Sequence, residues 1–161
     1  MTTPPMLPRV LALLALACPL SIGAQMPAAS DDRAAVLAVV RRLFDGMRAG
    51  DSASVRAVFH PTALLWSAGM RNATPEMRVD SVDAFVRAVG SPHTETWDER
   101  TSGEVVHLDG PLAVVWTDYA FYAGSRFSHC GVDTFQLART ASGWKIVALA
   151  DTRRRDGCKQ Q

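Results

Sequence analysis

Between residues 31 and 59 the apolar positions recur every three or four residues. Val36, Val39, Val40, Leu43 and Met47 mark one face of a helix, with Ser30 as its cap. Asp31 and Asp32 stand in its first turn, where the positive end of the backbone dipole favours acids. Gly50 ends that helix, and Asp51 caps a second, shorter one that presents Val55, Val58 and Phe59 before Pro61 stops it. From Thr62 the period drops towards two. "TALLWSA" and "NATPEMRV" read as short strands around a turn at Gly69. A third helix follows in "DSVDAFVRAVG": Asp80 is its cap, Asp83 lies three residues on, Val82, Phe85, Val86 and Val89 make its apolar face, and Gly90 closes it.

Beyond Gly90 only strand patterns occur. "TETWDERTSGEVVHL", "LAVVWTDYAFY", "SHCGVDTFQLAR" and "GWKIVALADT" are separated by "DGP", "AGSR" and "TASG", each suited to a tight turn. Long strands joined by tight turns predict an antiparallel meander. Helices first and strands last predict an α+β fold, with three helices packed on one face of a strongly curved antiparallel sheet. There is no internal repeat and no low-complexity tract.

The first 24 residues differ in kind. "MTTPPMLPR" carries one positive charge and no acid, "VLALLALACPL" is an unbroken apolar run, and "SIGAQ" offers small residues for cleavage after Ala24. This is the pattern of a signal peptide over residues 1–24, and the run is shorter than the roughly 20 apolar residues of a bilayer-spanning helix. A lipid anchor on Cys18 is the lesser alternative. The expected organisation is then a flexible linker at 25–30, one domain over 31–155 and a tail at 156–161, in a secreted or periplasmic protein.

Export makes the remaining cysteines informative. Cys130 and Cys158 are expected to pair as a disulfide in an oxidising compartment, worth roughly 3–4 kcal/mol in the chain-entropy picture. His60, His93, His107 and His129 are scattered without metal-ligand spacing, so no metal site is expected, and no cofactor motif is present. With 17 Lys and Arg against 16 Asp and Glu, the chain carries no electrostatic footprint for nucleic acid. Its only basic run, "TRRRDG", reads first as a solvated chain end and only second as an anion-binding patch. The "NAT" triplet at 72–74 matches a glycosylation acceptor by chance. There is no G-x-S-x-G elbow, P-loop or dinucleotide fingerprint.

Three stretches, "RRLFDGMRAGDSASVRAVFHPTALLW", "PLAVVWTDYAFY" and "FQLARTASGWKIVALADTRR", in this order and spacing, resemble the nuclear transport factor 2-like superfamily. Within it the likeness is to the SnoaL-like and lumazine-binding-like branch, over about residues 31–155. The resemblance implies a cone: a bent sheet wrapped around three helices, an apolar pocket at its open end, and homodimers formed through the outer face of the sheet. It also implies either binding of a small molecule or a cofactor-free isomerase, cyclase or dehydratase that uses a pocket carboxylate or His. No catalytic motif of that family is matched residue by residue.

Strand alternation supplies the candidates instead. His129, Gly131, Asp133, Phe135 and Leu137 share one face of their strand, and the apolar pair marks that face as interior. His129 and Asp133 then face the pocket as candidate proton-transfer groups, while Cys130 points outward towards Cys158. A satisfied structural pair, with Asp133 bonded to a hydroxyl such as that of Thr152, is the competing reading. Trp66, Trp97, Tyr119 and Phe135 complete the expected ligand-binding set. The function expected is the binding of a small apolar or aromatic molecule, with proton-transfer catalysis as the alternative.

Overall fold

A computed structural model describes residues 29–158 of the chain. The expected signal peptide, its cleavage point and Cys18 lie outside the described residues. Three helices and six strands follow one another as α1 (Ala29–Ala49), α2 (Ser52–Val58), β1 (Phe59–Arg71), β2 (Thr74–Ser81), α3 (Val82–Gly90), β3 (Trp97–Asp109), β4 (Leu112–Ala123), β5 (Arg126–Thr140) and β6 (Gly143–Thr152). The architecture is α+β, with the helices on the concave side of one six-stranded sheet of order β2-β1-β6-β5-β4-β3.

The helix signals act where the sequence places them, with small displacements. Gly50 takes φ +66 and ends α1, a conformation open to glycine without steric cost. Asp51 caps α2 by accepting from Ser54 N at 3.0 Å. α3 is capped by Ser81, which accepts from Ala84 N at 3.1 Å, and not by Asp80. Asp80 instead lies in β2 opposite Leu65.

The strands hold two corrections. The first hairpin turns at Asn72 and Ala73, both at positive φ, and Gly69 lies within β1 paired with Glu76. The sheet is also mixed. β3 to β6 form the expected antiparallel meander, but β1 pairs parallel with β6, as in Leu65 opposite Leu149 and Ser67 opposite Asp151. That pairing brings the helical hairpin and its outgoing strand back over the last strand, and it closes the concave side.

The core fills the narrow end of the cone. Val36, Val40 and Leu43 of α1 and Val55 and Val58 of α2 pack against Val115, Phe135, Leu137 and Ile146 of the sheet, all of them buried. Phe44 meets Phe135 edge to face at 6.0 Å between centroids. Each fully buried side chain of this size contributes about 1.5–3 kcal/mol, which holds the helices where they are and leaves the wide end unfilled.

Candidate functional site

A cavity of about 520 Å³ occupies that wide end. Leu43, Phe44 and Met47 of α1, Ala84, Phe85 and Ala88 of α3, and Leu65, Phe121 and Leu149 of the sheet make its apolar walls. The polar residues reaching it are Ser67, Asp80, Glu99, His129, Asp133, Asp151 and Arg153. The size falls within the range of small-molecule sites, and the mixture of apolar wall and few polar groups is characteristic of them.

Cross-strand register explains the polar set. Asp133 of β5 lies opposite Thr117 of β4 on one side and Asp151 of β6 on the other, and Asp151 in turn lies opposite Ser67 of β1. Directly opposed residues share a face, so carboxyls from adjacent strands are brought side by side on the concave surface. Glu99 joins them from β3, one strand beyond β4, where it lies opposite Phe121. Its chain neighbours point away and are neutralised there: Asp98 accepts from Arg48 and from Arg100, each at 2.8 Å.

The carboxyls divide into two kinds. Asp151 is well partnered: it accepts from Ser67 Oγ and, at 2.8 Å, from Arg153 Nε, and Tyr119 Oη lies 3.4 Å from its Oδ2. Asp133 is 3 % exposed, and its Oδ2 has no donor within reach. Its one side-chain partner is the carboxyl of Glu99, an arrangement that requires a proton between the two. Burial raises the Glu99 carboxyl to about 7, with the Asp151 charge adding to the rise while Asp133 and Arg153 oppose it. Burial and the neighbouring Glu99 charge push Asp133 well above the usual carboxylate range. Near neutral pH the pair therefore holds at least one proton, shared inside an apolar cavity.

His129 lines the same cavity. Burial, followed by the Arg153 charge, lowers its imidazole to about 4, so it is neutral at pH 7. It stacks on Phe121 at 5.0 Å between centroids, and its Nδ1 lies 3.0 Å from Ser128 Oγ. Trp97, edge-on to Phe121 at 6.2 Å, continues the aromatic wall, and His93 packs on its ring at 4.0 Å.

Of the residues singled out from the sequence, His129, Asp133 and Trp97 line the cavity. Trp66 borders it as well, but its cross-strand partner is Val79 and it alternates with Leu65 and Ser67, which places its ring on the outer face, 40 % exposed. Phe135 shares the parity of Asp133 but lies too far down the cone; it is wholly buried in the core and not in the cavity wall. Tyr119 is buried over Gly131, with Oη donating to the Thr152 carbonyl at 2.8 Å, and it supports Asp151 from behind the wall. Burial and the Asp151 charge both push its phenol up. Thr152 does not serve Asp133: its Oγ1 accepts from Val132 N at 3.1 Å, and Asp133 Oδ2 is left without a donor.

Glu99, Asp151 and Arg153 were not singled out from the sequence. In "TWDERTSG" three consecutive charged residues mask which parity faces inward, and a bulge between Ser102 and Val105 breaks the alternation that the apolar end of β3 would supply. Among the described residues no group of three or more His, Cys, Asp or Glu could hold a metal ion.

Cys130 and Cys158 are joined in a disulfide. Cys130 also exchanges two backbone hydrogen bonds with Arg154, each at 2.9 Å, so the chain after β6 is tied across β5. No helix among the described residues is long and apolar enough to cross a membrane.

Comparison with known proteins places this architecture in a family. A family model described as "Putative lumazine-binding" matches residues 31–150. Among solved structures, an NTF2-like protein with a cystatin-like fold from Novosphingobium aromaticivorans superposes with a TM-score of 0.66 at 12 % identity, over 80 % of this chain and 84 % of that one. An NTF2-like protein of unknown function from Silicibacter pomeroyi gives 0.60 at 22 % identity, over 80 % and 100 %. A "putative dehydratase from the NTF2-like family" of Streptomyces avermitilis gives 0.58 at 15 % identity, over 78 % and 96 %. At these identities the likeness concerns the fold. No match was found among curated proteins.

Proposed function

This chain belongs to the lumazine-binding-like family of the nuclear transport factor 2-like superfamily, and from that premise we propose that it binds a small apolar or aromatic molecule in the open end of its cone. The observation that carries the reading is the cavity itself. It offers about 520 Å³ between apolar walls, with a carboxyl pair at its polar patch and one carboxyl oxygen left for a ligand to satisfy. A buried polar atom without a partner costs about 1–3 kcal/mol, and a ligand group that meets it recovers much of that.

The Glu99–Asp133 pair favours a second reading, cofactor-free proton transfer of the isomerase, cyclase or dehydratase type. A carboxyl that titrates near 7 is matched to general acid or base work at neutral pH. In this reading Asp133 presents Oδ2 to the reacting atom, Glu99 holds or returns the proton, and neutral His129 supplies a further hydrogen bond. One experiment separates the two. A ligand recovered from the purified protein by mass spectrometry is returned to it in deuterated water. Binding alone leaves the ligand unlabelled, whereas proton transfer exchanges one carbon-bound hydrogen at a rate that falls at least about a hundredfold in Asp133→Asn. A cavity that yields no ligand and takes up none from a panel of aromatic and aliphatic compounds refutes both.

The same reading has the protein exported, on the strength of the apolar N-terminal run and the disulfide, which persists in oxidising compartments. It also has two copies associating through the outer face of the sheet. Leu64, Trp66, Met77 and Val79 on β1 and β2 and Val105, Leu112 and Trp116 on β3 and β4 are between 40 % and 65 % exposed there. An outer face with this much exposed apolar surface is uncommon on a monomer.

A further inference from the structure

We propose that the basic run following β6 forms an anion-recognising rim at the mouth of the cavity, so that the ligand is a small aromatic or apolar acid held with its acid group at Arg153 and Arg155. This inference rests on the binding reading above and narrows it to a ligand class.

Three observations carry it. Arg153 lines the cavity, and only its Nε is engaged, by Asp151; its two terminal nitrogens have no partner among the described residues. A guanidinium with both outer nitrogens free presents the fork that pairs bidentately with a carboxylate or similar oxyanion. Secondly, the run is held in place. The Thr152 carbonyl crosses directly over Gly131, where any side chain would collide with it. Arg154 exchanges two backbone hydrogen bonds with Cys130, and the Cys130–Cys158 disulfide fastens the end. A solvated chain end needs none of this. Thirdly, the charge is unbalanced towards the positive. Residues 151–156 carry Arg153, Arg154 and Arg155 against Asp151 and Asp156, and Arg155 is near enough for its charge to act on His129.

The cavity is thereby polarised. Arg153 lines it together with an aromatic wall of Phe121, His129 and Trp97 and with the Glu99–Asp133 pair. A flat acid fits this in one orientation. Its anionic end stays at the rim, its ring enters against the wall, and a donor at its far end meets the unpartnered Asp133 Oδ2. The reverse orientation would bring an anion against the Glu99–Asp133 pair and leave the Arg153 fork unmet.

The test uses the full mature protein, the fluorescent reporter N-phenyl-1-naphthylamine, and two competitors of equal shape, 2-naphthoate and its neutral counterpart 2-naphthamide. Near neutral pH and low salt, naphthoate should displace the reporter at about tenfold lower concentration than naphthamide, a preference that shrinks as salt is raised. The preference should largely disappear in Arg153→Gln and fall by about threefold in Arg155→Gln, and Arg153→Lys should restore only part of it, as loss of the fork requires. Arg155 is exposed, so its variant reports on recognition even if Arg153→Gln disturbs the fold. Reporter binding with equal displacement by both competitors, or a preference that survives in both glutamine variants, overturns the rim while leaving the binding cavity standing. Failure of the reporter and of both naphthalenes to bind overturns the cavity reading and the rim with it.

Discussion

Asp133 is buried in the pocket with one oxygen that meets no donor, and its side-chain partner is another carboxyl. A residue kept for stability would be given a hydroxyl or an amide. We therefore expect Asp133→Asn, which keeps the shape and removes the like-charged neighbour of Glu99, to leave stability near neutral pH equal or higher by about 1 kcal/mol in urea denaturation. A loss of about 1–3 kcal/mol would instead mark Asp133 as a structural acceptor. Strand alternation alone put Asp133 and His129 on the concave face, since Leu137 on the same parity had to be buried. It could not distinguish depth along the cone, so it grouped Phe135 with them although that ring belongs to the core. Glu99 was beyond its reach, as both of its neighbours are also charged.

At the scale of elements, the β1–β2 hairpin shows how turn chemistry can be misread. A glycine is the usual marker of a turn, yet Gly69 is an ordinary strand position, and the chain turns at Asn72 (φ 49) and Ala73 (φ 63). Two left-handed residues in succession match the twist of the strands they join, and they favour Asn followed by Gly. Ala73 bears the steric cost. Ala73→Gly should accordingly raise stability by about 0.5–1 kcal/mol, read as a higher Tm, despite the entropy that glycine adds to the unfolded chain. If the hairpin turned at Gly69 instead, the same change would lower it. The parallel contact of β1 with β6 had no local sign at all, because it joins strands far apart in the chain that no turn connects.

For the molecule as a whole, the displaced titrations of His129, Glu99 and Asp133 shape the pH profile near neutrality. His129, lowered to about 4 from 6.5, binds fewer protons folded than unfolded, so its contribution is complete above pH 6.5 and is lost as pH falls towards 4. Glu99, raised to about 7 from 4.5, binds more protons folded, so its contribution is complete below pH 4.5 and is lost as pH rises through 7. Asp133 is displaced in the same direction as Glu99. The slopes oppose each other between about pH 4.5 and 6.5, and above 6.5 only the falling limb remains. Denaturation midpoints should thus decline from pH 6.5 to 8, and Glu99→Gln should flatten that decline; an unchanged slope in the variant would sink the shared-proton picture. Association is tested at the same scale. Trp116, 53 % exposed on the outer face, can be exchanged for Glu, and light scattering should then report monomers where the parent gives dimers. A parent that is monomeric at every concentration rules the dimer out.

What the sequence by itself determined was the set of elements, their order, and which side of β5 faces inward. Each of these follows from apolar periodicity and capping within a few residues, and periodicity is a local property of the chain. The pairing of Cys130 with Cys158 was legible too, on the expectation that Cys18 belongs to a signal peptide. The tertiary structure alone decided the partnership of the carboxyls. Glu99, Asp133 and Asp151 are far apart in the chain, and they meet because register across β3 to β6 and the curvature of the sheet aim them at one point. Their protonation follows from that meeting. A carboxyl becomes an acid that titrates near neutrality only when folding removes its water and supplies another carboxyl in its place, and no spacing along the chain encodes that.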